Sequence, residues 1–95
     1  MNEQVYIVSD ILKALSNPNR LMIVCLLQEK RLTVTDLHEK MNNISMAALS
    51  QHLSVLKSLG FIDSNKKGQY IYYQLKDQRI IQIINLLKNL YCKDL

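Results

Sequence analysis

The order of apolar and polar residues from Ile44 to Leu56 predicts a helix with two different sides. At about 100° per residue, the apolar side is a narrow arc of Leu49, Leu53 and Leu56, with Met46 and Leu59 at its margins. The opposite side consists of small or polar residues: Ala47, Gln51, Ser54 and Ser58. None of them has a carboxylate. Such a side can approach a polyanion and bring hydrogen-bonding groups to base edges in a major groove. The pattern is therefore typical of a helix that reads DNA.

Two longer helices are predicted before this segment. The first spans about Glu3 to Leu15 and has an apolar stripe of Val5, Val8, Leu12 and Leu15, with Ile11 at its edge. Tyr6 and Ile7 extend the apolar surface further round this helix, which makes it wider than one core-facing stripe requires. Asn17 is expected to cap a second helix that starts at Pro18, where the missing N–H group costs nothing. This helix continues through Leu27 and is apolar on almost every side, which predicts a central, buried position.

A short helix and a tight turn precede the two-sided helix. Residues 33–36, Thr-Val-Thr-Asp, resemble a capping box and open a helix that ends at Met41. Residues 42–44 form the turn, after which Ser45 is a suitable N-cap and Gly60 a suitable left-handed stop. Two helices joined by this turn, the second with a polar outer side, predict a helix-turn-helix.

From Phe61 the apolar pattern changes to a period of two, which indicates strands. Strands over Phe61–Asn65 and Gln69–Leu75 flank a Lys66-Lys67-Gly68 tip, so we expect a β-hairpin that serves as a wing. A final helix runs from about Asp77 to Tyr91. The predicted fold class is mainly α with a small β-hairpin: a winged helix-turn-helix in the order α1-α2-α3-α4-β-β-α5.

Both terminal helices have more apolar surface than one small core can cover. In the last helix, apolar residues occupy far more than one side: Ile80, Ile81, Ile83, Ile84, Leu86, Leu87 and Leu90. Hydrophobic residues make up 48% of the chain, a generous share for a domain of this size. We therefore expect a homodimer paired through the terminal helices, which presents two recognition helices to a palindromic operator.

Length and charge narrow the class of protein. The 95 residues are expected to form one domain, 1–95. A formal net charge of +4 and an isoelectric point near 9.2 favour an anionic partner such as double-stranded DNA. No apolar run is long enough to cross a bilayer, and no secretory signal is visible. We expect a reducing, cytoplasmic location without membrane contact, because two distant cysteines do not form a secreted disulfide framework.

The DNA contacts are expected on the two-sided helix and on the wing. The groove-facing candidates are Ser45, Met46, Ala47, Ser50, Gln51 and Ser54, with His52 at the border between the two sides. Gln51 is best suited to a bidentate contact with adenine, whereas His52 either touches DNA or supports the packing of the short helix. Four basic residues are expected to contact backbone phosphates: Arg20, Lys57, Lys66 and Lys67.

The whole chain resembles the ArsR/SmtB family of bacterial winged-helix repressors. The likeness depends on four stretches, Leu12-Lys13-Ala14-Leu15, Asn19-Arg20-Leu21, Ala48 to Leu53, and Gly68-Gln69 with Ile71-Tyr72-Tyr73. Members of that family are homodimers that leave their operators when an inducer binds. The thiolate run of the metal-sensing members is replaced here by residues 33–37, Thr-Val-Thr-Asp-Leu, and the histidines of the last-helix zinc site are absent. We therefore expect neither a metal nor another cofactor.

Two cysteines link the chain to one branch of that family. On their own, Cys25 is typical of a small buried hydrophobe and Cys92 of an exposed thiol near Lys88 and Lys93. Both stand in motifs of the branch that includes the BigR, SqrR and HlyU regulators: Arg20-Leu21-Met22-Ile23-Val24-Cys25 and Leu90-Tyr91-Cys92. That branch senses reactive sulfur or oxidants, so the resemblance implies that the two cysteines form a redox-sensing pair. The branch has Gln and Ser where this chain has Met46 and Ala47, which leaves the operator sequence open.

The resulting hypothesis is a dimeric repressor without enzymatic activity that binds operator DNA when both cysteines are reduced. Persulfide, polysulfide or another thiol oxidant joins Cys25 to Cys92 and releases the DNA. The alternatives are a metal-responsive repressor of the same fold, a winged helix used only for protein–protein contact, and a thiol oxidoreductase. The last is disfavoured, because the chain has no Cys-x-x-Cys motif.

Overall fold

The computed structural model describes residues 2–91 and contains five helices and a three-stranded sheet within that range. Along the chain the elements are α1 (Glu3–Leu15), α2 (Pro18–Glu29), β1 (Leu32–Thr33), α3 (Val34–Lys40), α4 (Met46–Ser58), β2 (Ile62–Lys67), β3 (Tyr70–Leu75) and α5 (Gln78–Tyr91). This order confirms the predicted winged helix-turn-helix. It adds one strand, β1, which is too short to show a periodic pattern in the sequence.

Side-chain caps fix the starts of three helices where the sequence predicts them. Asn17 caps α2, Thr33 caps α3 and Ser45 caps α4. In the α3 cap, Thr33 Oγ1 accepts the N–H of Asp36 and the Asp36 carboxylate accepts the N–H of Thr33, each at 3.1 Å. This capping box satisfies two donors that the helix itself leaves unpaired, and it sets the start of the helix-turn-helix.

The sheet is antiparallel, with β3 between β1 and β2. The strands β2 and β3 are joined by Gly68, whose φ is +63°, and Gln69. Lys66 and Lys67 lie inside β2 and pair with β3, so the prediction that they form the tip of the hairpin is wrong. A two-residue turn with glycine in first position is sufficient to reverse the chain, which leaves both lysines within the ladder.

The core lies where α2, α4 and α5 meet the sheet. Its fully buried side chains are Ile23, Val24, Leu37, Leu49, Leu53, Leu56, Ile62, Ile80 and Ile84. The predicted apolar arc of α4 is confirmed at its centre, but Met46 and Leu59 at its margins are exposed. As expected of a central helix, α2 contacts α1, α4, α5 and β3 and buries Ile23, Val24 and Leu27. Its burial is incomplete in the single chain, because Met22 is exposed and Cys25 is half-buried.

Much of the apolar surface of α1 and α5 faces away from the core. In α1, only Ala14 and Leu15 are buried. We define the terminal-helix face as the exposed apolar residues of the two helices: Val5, Tyr6, Ile7, Val8, Leu12, Leu86, Leu87, Leu90 and Tyr91. Leu12 is 58% and Leu90 61% exposed, and folded domains rarely leave so much apolar surface uncovered. None of the helices within residues 2–91 has the length and hydrophobicity needed to cross a membrane.

Candidate nucleic-acid interface and thiol site

The exposed side of α4 has no acidic residue. Its accessible residues, together with the N-cap, are Ser45, Met46, Ala47, Ser50, Gln51, Ser54, Lys57 and Ser58. Ser45 Oγ accepts the N–H of Ala48 at 3.1 Å, which fixes the first turn of the helix. The groove-facing candidates from the sequence therefore lie together on one accessible side of α4 and its cap.

The two histidines occupy different positions around the helix-turn-helix. His52 is half-buried at the border of the exposed side of α4. On α3, Nε2 of His38 lies 3.0 Å from the backbone carbonyl oxygen of Ile44, so the ring donates a hydrogen bond to the turn between α3 and α4. The sequence pattern does not reveal this role of His38, because the contact depends on how the turn folds back onto α3.

Lys57 connects α4 to the wing. Its Nζ donates to Ser64 Oγ on β2 at 2.6 Å, and both side chains are near the surface. Further along β2, Lys66 and Lys67 are exposed. The three predicted phosphate-binding lysines are therefore distributed over the end of α4 and the adjoining strand.

Two arginines differ in their surroundings. Arg20 on α2 is half-buried, and its Nε is buried without a hydrogen-bond partner among the described residues. Arg31, which is not among the predicted contacts, precedes β1, and its guanidinium carbon lies 4.5 Å from the centroid of the Tyr72 ring. This is the geometry of a cation–π contact. Only the pairing of β1 with β3 brings Arg31 to that ring, so sequence spacing gave no signal for it.

The end of α4 determines the direction of the wing. Gly60 has a φ of +80° and donates its N–H to the carbonyl of Lys57 at 3.0 Å. The N–H of Phe61 donates to the carbonyl of Leu56 at 3.1 Å, which completes a Schellman motif. The predicted stop at Gly60 is confirmed, and the chain enters β2 directly after it.

Cys25 borders a cavity between α2 and α5. The cavity has a volume of about 170 Å³, and Cys25 is half-buried at its edge. Apart from Lys88, the other lining residues are apolar and include Leu21, Met22, Ile84 and Leu87. Cys92, the predicted partner of Cys25, lies outside the described residues.

Lys88 reaches from α5 to the C-terminal part of α2. Its side chain is only 13% exposed. Nζ donates to the backbone carbonyl oxygen of Cys25 at 3.2 Å and to Oε1 of Gln28 at 2.8 Å. The Glu29 carboxylate lies 3.6 Å from the same nitrogen, and Gln28 also donates to the side chain of Asn85. We call this set of polar contacts the α2–α5 contact.

Two carboxylates accept hydrogen bonds at the starts of helices. The backbone hydrogen bond from Thr33, assisted by the Thr33 side chain, holds the pKa of Asp36 below its ordinary value. Before α5, the hydrogen bond from the Arg79 side chain lowers the pKa of Asp77, and the two groups lie 2.9 Å apart. Within residues 2–91, no three His, Cys, Asp or Glu side chains come together in a way that could hold a metal ion.

A profile of the bacterial regulatory protein arsR family matches residues 17–64, which include α2, α3 and α4. The chain belongs to the arsR family. The transcriptional activator HlyU of Vibrio cholerae is 37% identical over 83 residues, which cover 87% of this chain and 76% of that protein. Its solved structure matches with a TM-score of 0.90 and 35% identity, covering 97% of this chain and 99% of the other.

Two further arsR-family comparisons bear on function. The transcriptional repressor BigR from Xylella fastidiosa matches with a TM-score of 0.87 and 33% identity, covering 95% of this chain and 91% of the other. The cadmium resistance regulatory protein CadC of Listeria innocua is 41% identical over 80 residues, which cover 83% of this chain and 66% of that protein. Regulators of the arsR family bind DNA and are typically dimeric. The chain is therefore a transcription regulator and not an enzyme.

Proposed function

We propose that the chain is a homodimeric cytoplasmic repressor that binds operator DNA while Cys25 and Cys92 are thiols. A persulfide or polysulfide joins the two sulfur atoms and releases the DNA, and other thiol oxidants are the alternative inducers. The exposed, acid-free side of α4 is the observation that supports DNA binding most directly. The paired cysteine motifs, one of them beside the cavity between α2 and α5, support the sensing step.

Base contacts come from the first turns of α4. The amide of Gln51 offers a donor and an acceptor side by side, which matches N6 and N7 of adenine. Met46 and Ala47 are exposed and offer apolar contact to a thymine methyl group. The other candidate contacts near this side are Ser45, Ser50, His52 and Ser54.

Phosphate contacts come from the basic residues around α4. Lys66 and Lys67 are exposed on the wing, and Arg20 is half-buried on α2. Lys57 donates one of its three N–H groups to Ser64, so two others are available to a phosphate oxygen. Each neutralised phosphate steepens the dependence of log affinity on log salt concentration by about 0.9, and these contacts position the protein without reading sequence.

Dimerisation covers the terminal-helix face. The exposed leucines of α1 and α5, including Leu12 and Leu90, provide an apolar surface that a second copy can bury. A two-fold axis through this surface gives a closed assembly with two α4 helices. Such a pair suits a palindromic operator whose half-sites lie about one helical turn apart.

Chain length allows the two cysteines to meet. Lys88 hydrogen-bonds through its side chain to the backbone of Cys25, and Cys92 follows Lys88 by four positions, so at most about 14 Å separates the Cα atoms of Lys88 and Cys92. One thiolate attacks a sulfur atom of the polysulfide and forms a persulfide, and the other thiolate then displaces hydrosulfide. Two thiols and H₂S₂ give a disulfide and two H₂S, whereas two thiols and H₂S₃ give a trisulfide and two H₂S. In both cases two electrons pass from the cysteines to the polysulfide.

The sulfur bridge acts on DNA through α5. It ties α2 of the DNA-binding core to α5, which carries four of the nine residues of the terminal-helix face. A changed angle of α5 alters the separation of the two α4 helices, whereas the half-sites of the operator keep a fixed spacing. The reduced dimer therefore fits the operator better than the bridged dimer, and the inducer shifts the population away from the DNA-bound form.

The test uses duplex DNA selected from a randomised pool with the reduced protein. We expect polysulfide to weaken binding by the wild type by about tenfold or more, which corresponds to about 1.4 kcal/mol. The variants Cys25→Ser and Cys92→Ser bind the same DNA and ignore polysulfide. Met22→Leu, which removes a different sulfur atom from the same cavity, is the control and responds like the wild type.

Three results decide between the alternatives. Mass spectrometry of the treated wild type is expected to show an intramolecular Cys25–Cys92 crosslink, with added sulfur if the bridge is longer than a disulfide. If either cysteine variant releases DNA normally, the two-cysteine switch is wrong. If the reduced wild type binds no DNA even at low salt, the winged helix serves protein–protein contact instead.

A metal-responsive repressor is the second candidate, because CadC is named for cadmium resistance. A metal site normally needs several ligands at one point, and residues 2–91 contain no group of three. Stoichiometric binding of cadmium or zinc that weakens operator binding by the reduced protein would favour this candidate over the thiol switch.

A further inference from the structure

We propose that Lys88 is the cation that favours the thiolate form of Cys25 and so sets how readily this cysteine reacts. The inference rests on the proposed thiol switch and adds a positioning residue to it. Lys88 belongs to α5 and Cys25 to α2, so the same contact that joins the two helices also places a positive charge beside the reacting sulfur atom.

The position of Lys88 Nζ is fixed close to Cys25. It lies 3.2 Å from the carbonyl oxygen of Cys25, and four bonds separate that oxygen from the sulfur of the same residue. The charge is therefore within roughly 8 Å of the sulfur atom. Because the Lys88 side chain is largely buried, water and salt screen this charge less than they screen a surface lysine.

Hydrogen bonds to α2 hold the charge in place. Besides the carbonyl of Cys25, Nζ binds Oε1 of Gln28 at 2.8 Å. Gln28 is in turn hydrogen-bonded to Asn85, one turn before Lys88 on α5. Lys88 therefore does not behave as a mobile surface side chain, and its charge stays beside the cavity that Cys25 borders.

The apolar surroundings of Cys25 oppose its ionisation. The walls of the cavity are apolar, with Leu21, Ile84 and Leu87 among them, and an apolar surrounding disfavours a thiolate. Lys88 offsets this effect, because it holds a positive charge close to the sulfur atom.

No other charged side chain in residues 2–91 lines this cavity. The Glu29 carboxylate, 3.6 Å from Nζ, reduces the effect of Lys88, but Glu29 is well exposed to water. The remaining ionisable side chains of α2 and of the helices and strand packed on it do not line the cavity: Arg20 of α2; Glu3, Tyr6, Asp10 and Lys13 of α1; His52 and Lys57 of α4; Tyr70, Tyr72 and Tyr73 of β3; Arg79 and Tyr91 of α5.

The test measures how fast iodoacetamide alkylates Cys25 as a function of pH. The parent is the reduced Cys92→Ser variant, in which Cys25 is the remaining thiol. Lys88→Gln removes the charge but keeps an amide that can donate to the same acceptors, and it is expected to raise the midpoint of the pH profile by about one unit. Lys88→Arg keeps the charge and the parental midpoint. Lys76→Gln, at an exposed site, is the control and leaves the midpoint unchanged.

Glu29→Gln gives a second measurement of opposite sign. It removes the carboxylate beside Lys88 without disturbing the buried contact, so it is expected to lower the midpoint by a few tenths of a unit. This variant decides the question even if Lys88→Gln does not fold. Circular dichroism shows which variants are folded.

An unchanged midpoint in folded Lys88→Gln overturns the inference. Alkylation that slows equally at every pH also overturns it, because that result indicates altered access to the sulfur and not altered ionisation. If Lys88→Gln is unfolded, an unchanged midpoint in Glu29→Gln has the same meaning. The alkylation assay contains neither DNA nor polysulfide, so its result does not depend on the DNA-release experiment. If the wild type ignores polysulfide in that other experiment, only the proposed function is contradicted.

Discussion

At the residue scale, Thr33 and Asp36 control the start of the helix-turn-helix. The hydrogen bonds that Thr33 donates to the Asp36 carboxylate, first from its backbone N–H, lower the pKa of Asp36 in the folded chain, whereas the unfolded chain has the ordinary value of about 3.9. The ionised carboxylate therefore stabilises the fold above that pH. This stabilisation is lost as the pH falls from the pKa of Asp36 in the unfolded chain through its lower pKa in the folded chain.

Asp36→Asn tests this cap. We expect the free energy of unfolding to fall by about 0.5–1 kcal/mol at neutral pH, because an amide replaces a charged acceptor at the start of α3. The difference from the wild type shrinks as the pH falls below about 3.9, because the carboxyl group is protonated first in the unfolded chain and then, at its lowered pKa, in the folded chain. Urea unfolding at several pH values measures this difference. Glu39→Gln, on the exposed side of the same helix, is the control, and an equal loss there would contradict the role of the cap.

Residue-level predictions succeeded where the interaction is local. The capping box depends on two residues three positions apart, so the sequence contains the whole motif. The hydrogen bonds of Lys88 join residues far apart in the chain, and that of His38 depends on the path of a turn. No short-range sequence motif encodes either contact, because both form only when the helices pack together.

At the element scale, Gly60 links α4 to the wing. Its φ of +80° is accessible to glycine and costly for most other residues. A Cβ atom added there meets nothing within 4 Å, so any loss of stability on substitution comes from the backbone and not from a clash. The Schellman motif therefore depends on this backbone conformation.

Gly60→Ala is expected to lower the free energy of unfolding by about 1 kcal/mol. Gly60→Asn is expected to lose less, because asparagine tolerates the left-handed conformation better than alanine. Urea unfolding monitored by circular dichroism measures both effects. Ser58→Ala, two positions earlier and in helical backbone, is the control. If Gly60→Ala loses no more stability than this variant, the left-handed backbone of Gly60 does not cause the loss.

Element boundaries were predictable where capping residues mark them and less so in the sheet. Asn17, Ser45 and Gly60 mark helix ends, and the structure places the ends there. In the hairpin, Lys66-Lys67-Gly68-Gln69 is compatible with more than one loop length, and the ladder selected the shorter loop. β1 has two residues and exists because β3 pairs with it, so no local signal identifies it.

At the scale of the whole molecule, the terminal-helix face predicts the oligomeric state. Leu90→Asp places a charge within this face and is expected to convert a dimer into a monomer, because an unpaired buried carboxylate costs several kcal/mol. Analytical ultracentrifugation of the reduced protein measures the change, and operator affinity falls with it. Asn89→Asp adds the same charge at the adjacent exposed position and stays dimeric. A dimeric Leu90→Asp protein would show that another surface forms the interface.

The apolar pattern predicted that surplus surface but not its arrangement. In α1, Val5, Val8 and Leu12 have the spacing of a core-facing stripe, yet the structure exposes all three. Periodicity shows that a helix has an apolar side, and it does not distinguish the chain's own core from the surface of a second copy.

The first turn of α4 stands apart from the thiol site. Met46 and Ala47 are exposed on α4, whereas Cys25 borders a cavity formed by α2 and α5. In the proposed mechanism, mutations in that turn redirect the protein to a new promoter while its response to thiol oxidants stays the same. During evolution, the proposed thiol switch could then control different genes after changes in two or three side chains.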